Sequence, residues 1–358
     1  MNVIRFSLVS TLAASLTLPL ARAQETATTD PVGFVTVGIT AGTGTAKRNT
    51  LFSVPLLETE SITGQVAGTI TGITATTISN SSAGWTDGAL SQPATPFLIQ
   101  ITSGAAEGRL FLISSSANTG GAVVGTANTA TTVTVSSVDA AQVDLTSLGI
   151  VVGTDTYKIY ACDTLSSFFG TPASTGVQGG TAPANADTIV AVVNGTSSTY
   201  YFNTTSSKWV RAVLGSPDSS NVPLLPYYGI QYGRLGNSAL SFVVTGGVPT
   251  DPRKVAVKNS GTTILSQFWP VESTLGTSGL SNVVTPGASA SVADTVVLTA
   301  GGAASTFFFN GTDWKKVVLG SPTANTNPIP IGTSVQIIRK GTASGFTTLS
   351  QTVPYTLN

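Results

Sequence analysis

An internal duplication constrains this chain more than any other feature of its sequence. Ala186-Asp187-Thr188-Ile189-Val190 recurs as Ala293-Asp294-Thr295-Val296-Val297, 107 residues later. Ser198-Thr199-Tyr200-Tyr201-Phe202-Asn203 recurs at the same offset as Ser305-Thr306-Phe307-Phe308-Phe309-Asn310. Trp209 then matches Trp314, and Val213-Leu214-Gly215-Ser216-Pro217 matches Val318-Leu319-Gly320-Ser321-Pro322, now at an offset of 105. Two residues have left the loop between Asn and Trp. Val248-Pro249 and Val353-Pro354 keep the second offset and mark the ends of the two copies. Matches that hold their order over such a length reflect duplication rather than biased composition.

Each copy reads as a three-stranded meander. Its strands are expected over Thr188 to Val193, Thr199 to Asn203 and Trp209 to Leu214, with Asn194-Gly195 as a turn signal. The closing Gly-Ser-Pro ends the sheet, because proline cannot donate to a ladder. From Asp30 onward the chain is short runs of Val, Ile, Thr, Phe and Tyr punctuated by Gly, Asn, Ser and Pro. Such runs predict an all-β protein of tandem sandwich or barrel-like modules. Three modules are expected, over 24–152, 153–249 and 250–358, after a leader of 1–23. Thr250-Asp251-Pro252 is read as a junction that echoes Thr29-Asp30-Pro31. Helical turns are expected after Thr50, Asp163 and Thr263. Thr164-Leu165-Ser166-Ser167-Phe168-Phe169 is matched with Thr263-Ile264-Leu265-Ser266-Gln267-Phe268, and Thr50-Leu51-Phe52-Ser53-Val54-Pro55 is a weaker third instance.

The leader assignment rests on Arg5, an uncharged apolar stretch from Phe6 to Leu20, and the small-x-small pattern Ala21-Arg22-Ala23. The apolar run is shorter than the roughly 20 residues that span a bilayer. An exported mature chain would begin at Gln24. It would be extracellular or in the cell envelope, with no transmembrane helix.

Composition removes several function classes. The chain has 16 basic and 16 acidic residues and no His among 358. It therefore lacks the concentrated positive charge that nucleic acid demands, and the commonest general base and zinc ligand. A single cysteine, Cys162, allows no internal disulfide and is expected to be a buried free thiol. Asp187 and Asp294 occupy matching places in both copies, so a structural role is expected of them. Asp87, Glu107, Asp155 and Asp163 form no catalytic motif, and no calcium-loop spacing occurs. No enzyme activity, cofactor, metal site or catalytic residue is assigned.

The aromatic meanders are the one candidate surface. Tyr200, Tyr201 and Trp209 in one copy, and Phe307, Phe308 and Trp314 in the other, could offer flat rings to a sugar or pack into the core. Arg211 and Lys316 follow each Trp by two residues, on the same strand face. The favoured expectation is a structural or interaction protein that associates with itself, since low charge repels little and strand edges template pairing. A carbohydrate-binding or adhesive module with an extracellular polysaccharide partner is the alternative.

Three segments carry a resemblance. Asp30-Pro31-Val32-Gly33-Phe34, the Ile101-to-Ile113 strand-turn-strand and Thr164 to Phe169 are similar to a paralogous family of exported β-rich proteins of unknown function from Verrucomicrobia. The resemblance covers most of residues 30–170. It implies an envelope or extracellular location and transfers no site residue.

Overall fold

The computed structural model describes residues 31–58, 62–114, 127–138, 144–193, 196–300 and 303–356. The expected leader and the turn expected at Asn194-Gly195 lie outside them. The fold is all-β, and every ladder between its described strands is antiparallel.

The duplication extends well beyond the meander. In the second copy, Arg253–Lys258 pairs with Phe346–Gln351 as a two-stranded ribbon. Beside it lies a five-stranded sheet in the order Gly261–Ser266, Ser334–Arg339, Thr295–Ala300, Ala303–Phe309, Trp314–Lys316. The first copy repeats both parts. Its ribbon is Val32–Ile39 with Leu240–Gly247, and its sheet runs Arg48–Phe52, Ile230–Arg234, Thr188–Val193, Thr196–Asn203, Lys208–Arg211. The registers superimpose pair for pair. Arg234 opposite Arg48 corresponds to Arg339 opposite Gly261, and Ile189 opposite Tyr200 corresponds to Val296 opposite Phe307. Phe202 opposite Trp209 corresponds to Phe309 opposite Trp314. A one-residue slip would turn each apolar set to the wrong face, so buried faces hold both copies in register.

The third module is an insertion. A seven-stranded sheet runs Ala67–Thr69, Thr156–Ala161, Phe97–Ile101, Leu110–Ile113, Thr132–Ser137, Thr77–Ser79, Gly72–Ile73. It interrupts the first copy between Arg48–Phe52 and the short helix Leu165–Phe169. Phe97–Ile101 and Leu110–Ile113 are buried at every position. Phe97, Ile99, Ile101, Phe111 and Ile113 fill the sheet's own core. Leu98, Leu110, Leu112 and Tyr160 instead join the core of the second copy, with Val255, Val257 and Leu349. Burial on both faces accounts for apolar runs without alternation.

This arrangement cuts across the linear division at 152 and 249. Val32–Ile39 and Arg48–Phe52 precede residue 152, yet they pair with strands near residues 230–247 and belong to the first copy. Sequence proximity favours a continuous module, whereas ladder pairing is decided through space. The helical turns expected after Thr50 and Thr263 are strands. These two segments are each other's true counterparts, since Arg48–Phe52 and Gly261–Ser266 hold the same sheet position. Only the Thr164 segment is helical. There the Thr164 side chain accepts from the Ser167 backbone N–H while Ser167 reaches back, a capping box that the strands lack.

The two copies meet reciprocally. Phe52 of the first copy bridges Thr333 of the second, and Leu265 of the second bridges Tyr228 of the first. Ser53 N–H donates to Gly332 O at 2.9 Å, and Ser266 N–H to Tyr227 O at 3.2 Å. Phe52 and Leu265 are equivalent positions, as are Tyr228 and Thr333. Exchanged contacts of this kind define an approximate two-fold relation, the geometry of an isologous dimer held within one chain.

Candidate functional site

The aromatic meanders are core. Tyr200, Phe202 and Trp209 join Phe52, Leu165, Phe169 and Tyr232 in the first copy's interior. Tyr201 lies on the opposite face in a small cluster with Ala186 and Val210. Trp209 is 1% exposed and its Nε1–H donates to Gly170 O at 2.8 Å. Phe307 and Trp314 sit in the second copy's core, and Phe308 is buried too. Arg211 and Lys316 are half-buried at the strand ends, opposite Tyr200 and Phe307. The cation–π contacts among the described residues are elsewhere, Lys158 over Tyr160 and Arg253 over Tyr227 and Trp269. None of the rings is offered to a ligand. Alternation gave the faces correctly, but a strand buried on both sides leaves no solvent face.

Asp187 and Asp294 form buried clasps. Asp187 accepts from the backbone N–H of Gln178 and Leu235, each at 2.8 Å, from the Tyr232 hydroxyl at 2.7 Å and from Arg234 Nη1 at 2.5 Å. Asp294 accepts from Thr285 N–H and Lys340 N–H, each at 2.7 Å, and from Arg339 Nε at 3.2 Å. The arginines went unnoticed in the sequence, although Arg234 and Arg339 hold the 105 offset. Each clasp ties the first strand of the meander to its neighbour. Among the described residues no group of three or more His, Cys, Asp or Glu could hold a metal ion. Cys162 is a buried free thiol, and burial pushes its pKa up.

Two grooves follow from the two-fold relation. One, of about 660 Å³, is flanked by Asn49 and Leu51 on one side and Thr299 and Ala304 on the other. Its counterpart, of about 70 Å³, has the equivalent residues Thr262 and Ile264 facing Val192 and Ser197. A third groove, of about 510 Å³ and of mixed polar and apolar character, lies beside Trp269, Glu272, Asn282 and Gln351.

The outward faces of the ribbons differ most. In the second copy the turn of the seven-stranded sheet covers the Arg253–Lys258 strand of this face, while Phe346 and Thr348 on the partner strand stay exposed. Lys254 N–H donates to Gly108 O at 3.1 Å and its Nζ to Ala105 O at 2.9 Å, while Arg109 Nη2 donates to Thr348 Oγ1 at 3.1 Å. Ala256 on that face is 1% exposed. Gly108 adopts φ 86°, and a Cβ there would meet Pro252 O at 2.5 Å, so the approach requires glycine. In the first copy the corresponding face presents Val32, Phe34 and Val243, exposed at 74%, 73% and 59%.

Sheet edges are less available than expected. The outer strand Lys208–Arg211 is flanked by its own returning chain, with Arg211 N–H donating to Pro217 O and Ser219 N–H to Trp209 O. Trp314–Lys316 is covered in the same way by Pro322 and Ala324. Proline there withholds a donor and blunts the edge. The apolar surface that remains is on faces and turn tips.

Compared with known proteins, the chain matches no family model and no curated protein. Among the described residues no helix is long and apolar enough to cross a membrane.

Proposed function

We propose that the chain is an exported, non-catalytic structural protein of the cell surface or extracellular space that associates with copies of itself, as the subunit of a layer or filament. One observation carries this reading: the ribbon face of the first copy exposes Val32, Phe34 and Val243, while the Arg253–Lys258 strand of the equivalent face in the second copy is covered. A scaffold built to dock on this ribbon has one docking position filled from within the chain and one left open. The ribbon strand Val32–Ile39 has eight residues. It is about 27 Å long at strand rise, and alone it offers less than the roughly 800 Å² per partner of a stable interface. Such a contact is weak singly and gains strength when repeated along a lattice. The resemblance to exported β-rich proteins fits the same location.

Light scattering and electron microscopy of Gln24 to Asn358, with the Phe34→Ser variant in parallel, test it. Concentration-dependent assembly that Phe34→Ser weakens is expected. A monomer at every concentration overturns the reading.

The adhesive alternative no longer involves Trp209 or Trp314. What favours it is the groove beside Trp269, whose amide, hydroxyl and carboxylate groups next to apolar surface suit a saccharide. Polysaccharide binding lost in Asn282→Ala would establish it, and its absence across cell-wall glycans would remove it.

A further inference from the structure

The two turn tips Val213 to Pro217 and Val318 to Pro322 are the most exposed apolar points of the described chain. Leu214 and Leu319 have relative exposures of 103% and 104%, so each side chain stands clear of the protein. Val213, Val317 and Val318 beside them are exposed at 45%, 42% and 50%. The tips share one conformation. Ser216 N–H donates to Val213 O and Ser321 N–H to Val318 O, each at 3.0 Å, closing matched four-residue turns. Gly215 and Gly320 have φ of 85° and 81°, and Ser216 and Ser321 follow at 39° and 40°. Turn geometry explains the glycines, which take the left-handed third position, but not the leucines. The second position of such a turn accepts most residues, with proline preferred. A fully exposed leucine nonetheless stands in both copies, whereas Tyr200 and Tyr201 correspond to Phe307 and Phe308.

Cations stand at the base of each tip. Arg211 lies three residues before Leu214, and Lys316 three before Leu319. From Lys208 to Asp218 there are two cations and one anion, and the same holds from Asp313 to Thr323. Lys208 pairs with Asp218 at 2.7 Å and Lys315 with Asp313 at 3.4 Å, so each tip keeps one net positive charge, from Arg211 or Lys316.

We propose that the two tips are paired lipid-contacting elements that insert Leu214 and Leu319 into the interfacial layer of a bilayer carrying anionic headgroups. The two leucine side chains that project furthest carry no hydrogen-bonding group and no ring for a sugar. A four-residue convex tip is also far smaller than the roughly 800 Å² that each partner gives to a stable protein interface. A bilayer needs no complementary pocket, takes up each aliphatic group independently, and rewards nearby Lys and Arg when its lipids are anionic. Two tips on one chain bind more tightly than one wherever both reach the same bilayer. The outer-edge hairpins bearing them are braced by backbone bonds from Arg211 to Pro217 and from Lys316 to Pro322, so little order is lost on insertion.

The test is cosedimentation of the full exported chain with vesicles of phosphatidylethanolamine and phosphatidylglycerol, against vesicles of phosphatidylcholine alone. Binding to the anionic vesicles is expected. Leu214→Ser or Leu319→Ser should weaken it about tenfold and the double substitution about a hundredfold, with melting temperature unchanged. High salt should reduce binding without abolishing it. No binding to either vesicle overturns the proposal. So does binding that the double variant retains in full, or that high salt removes completely, since either makes the attraction purely electrostatic. Loss of a lipid-free oligomer in the double variant would instead assign the tips to a second copy. Phe34→Ser, which acts on the self-association reading, should leave vesicle binding intact, so the two proposals fail separately.

Discussion

The two copies share a strand order, a set of registers and a buried Asp–Arg clasp, yet they differ wherever one of them meets a neighbour. In the second copy the turn of the inserted sheet lies over Lys254 and Ala256 and its Arg109 reaches Thr348, although Thr348 and Phe346 stay exposed. In the first copy the corresponding positions hold Phe34, Thr36 and Val243, and Phe34 and Val243 are exposed. The clasps differ as well. Asp187 has a tyrosine hydroxyl that Asp294 lacks, because Ile337 stands where Tyr232 stands. The Arg234 side chain is 4% exposed against 13% for Arg339. Duplication preserved what each sheet needs for its own closure and let the surfaces follow what covers them.

The largest expected effect breaks the clasps. Asp187→Asn leaves Arg234 buried without its counter-charge and should cost about 3–5 kcal/mol in urea unfolding. Asp294→Asn should cost about 1–3 kcal/mol, because Arg339 reaches solvent and loses fewer bonds. Equal costs would show that the extra burial and hydroxyl in the first copy add nothing. Gly108→Val acts on the second ribbon's cover, where any Cβ meets Pro252 O. A loss of about 1–3 kcal/mol is expected, together with faster proteolysis of the ribbon Arg253–Lys258.

Alkaline pH is the next lever. Burial raises the pKa of Tyr157, Tyr200, Tyr232 and Cys162, and that of Tyr355 to about 12. A raised folded pKa means that the unfolded chain loses its proton first. The stability these groups contribute is full below their unfolded pKa values and is lost as pH rises above about 9. Lys47, lowered chiefly by desolvation, opposes this with a single group. Melting temperature should therefore stay nearly level from about pH 5 to 8, where no His titrates, and fall beyond about pH 9. A midpoint near neutrality would contradict it.

The two smallest effects are read by spectroscopy and by melting. Trp85, Trp209, Trp269 and Trp314 are each 1–3% exposed, so native emission should resist iodide quenching until unfolding. Strong native quenching would return the rings to the surface. Phe34→Ser should change stability by less than about 0.5 kcal/mol, as exposed substitutions do, while altering assembly.

Much of the fold was legible, and for definite reasons. The meander strands of the first copy were placed to within a few residues, because Thr188–Val193 and Thr196–Asn203 are runs rich in β-branched and aromatic residues separated by the turn signal Asn194-Gly195. The strand-turn-strand from Phe97 to Ile113 was equally plain, with Leu98 opposite Leu112. The candidate site was less legible. Composition marked Tyr200, Tyr201, Trp209, Phe307, Phe308 and Trp314 as notable without saying that both faces of their strands would be covered. Val32, Phe34 and Val243 read like any other strand residues.

By itself the sequence determined an all-β chain with a duplicated unit, because alternation, turn residues and repeated words are local and survive in one dimension. Only the tertiary structure decided that the first copy is interrupted by a seven-stranded sheet. Only it decided, too, that Arg48–Phe52 belongs with Ile230–Arg234 across some 180 residues, and that two equal ribbons end with unequal surfaces. Pairing and cover depend on which surfaces meet in space, and a strand's own letters do not record its neighbour.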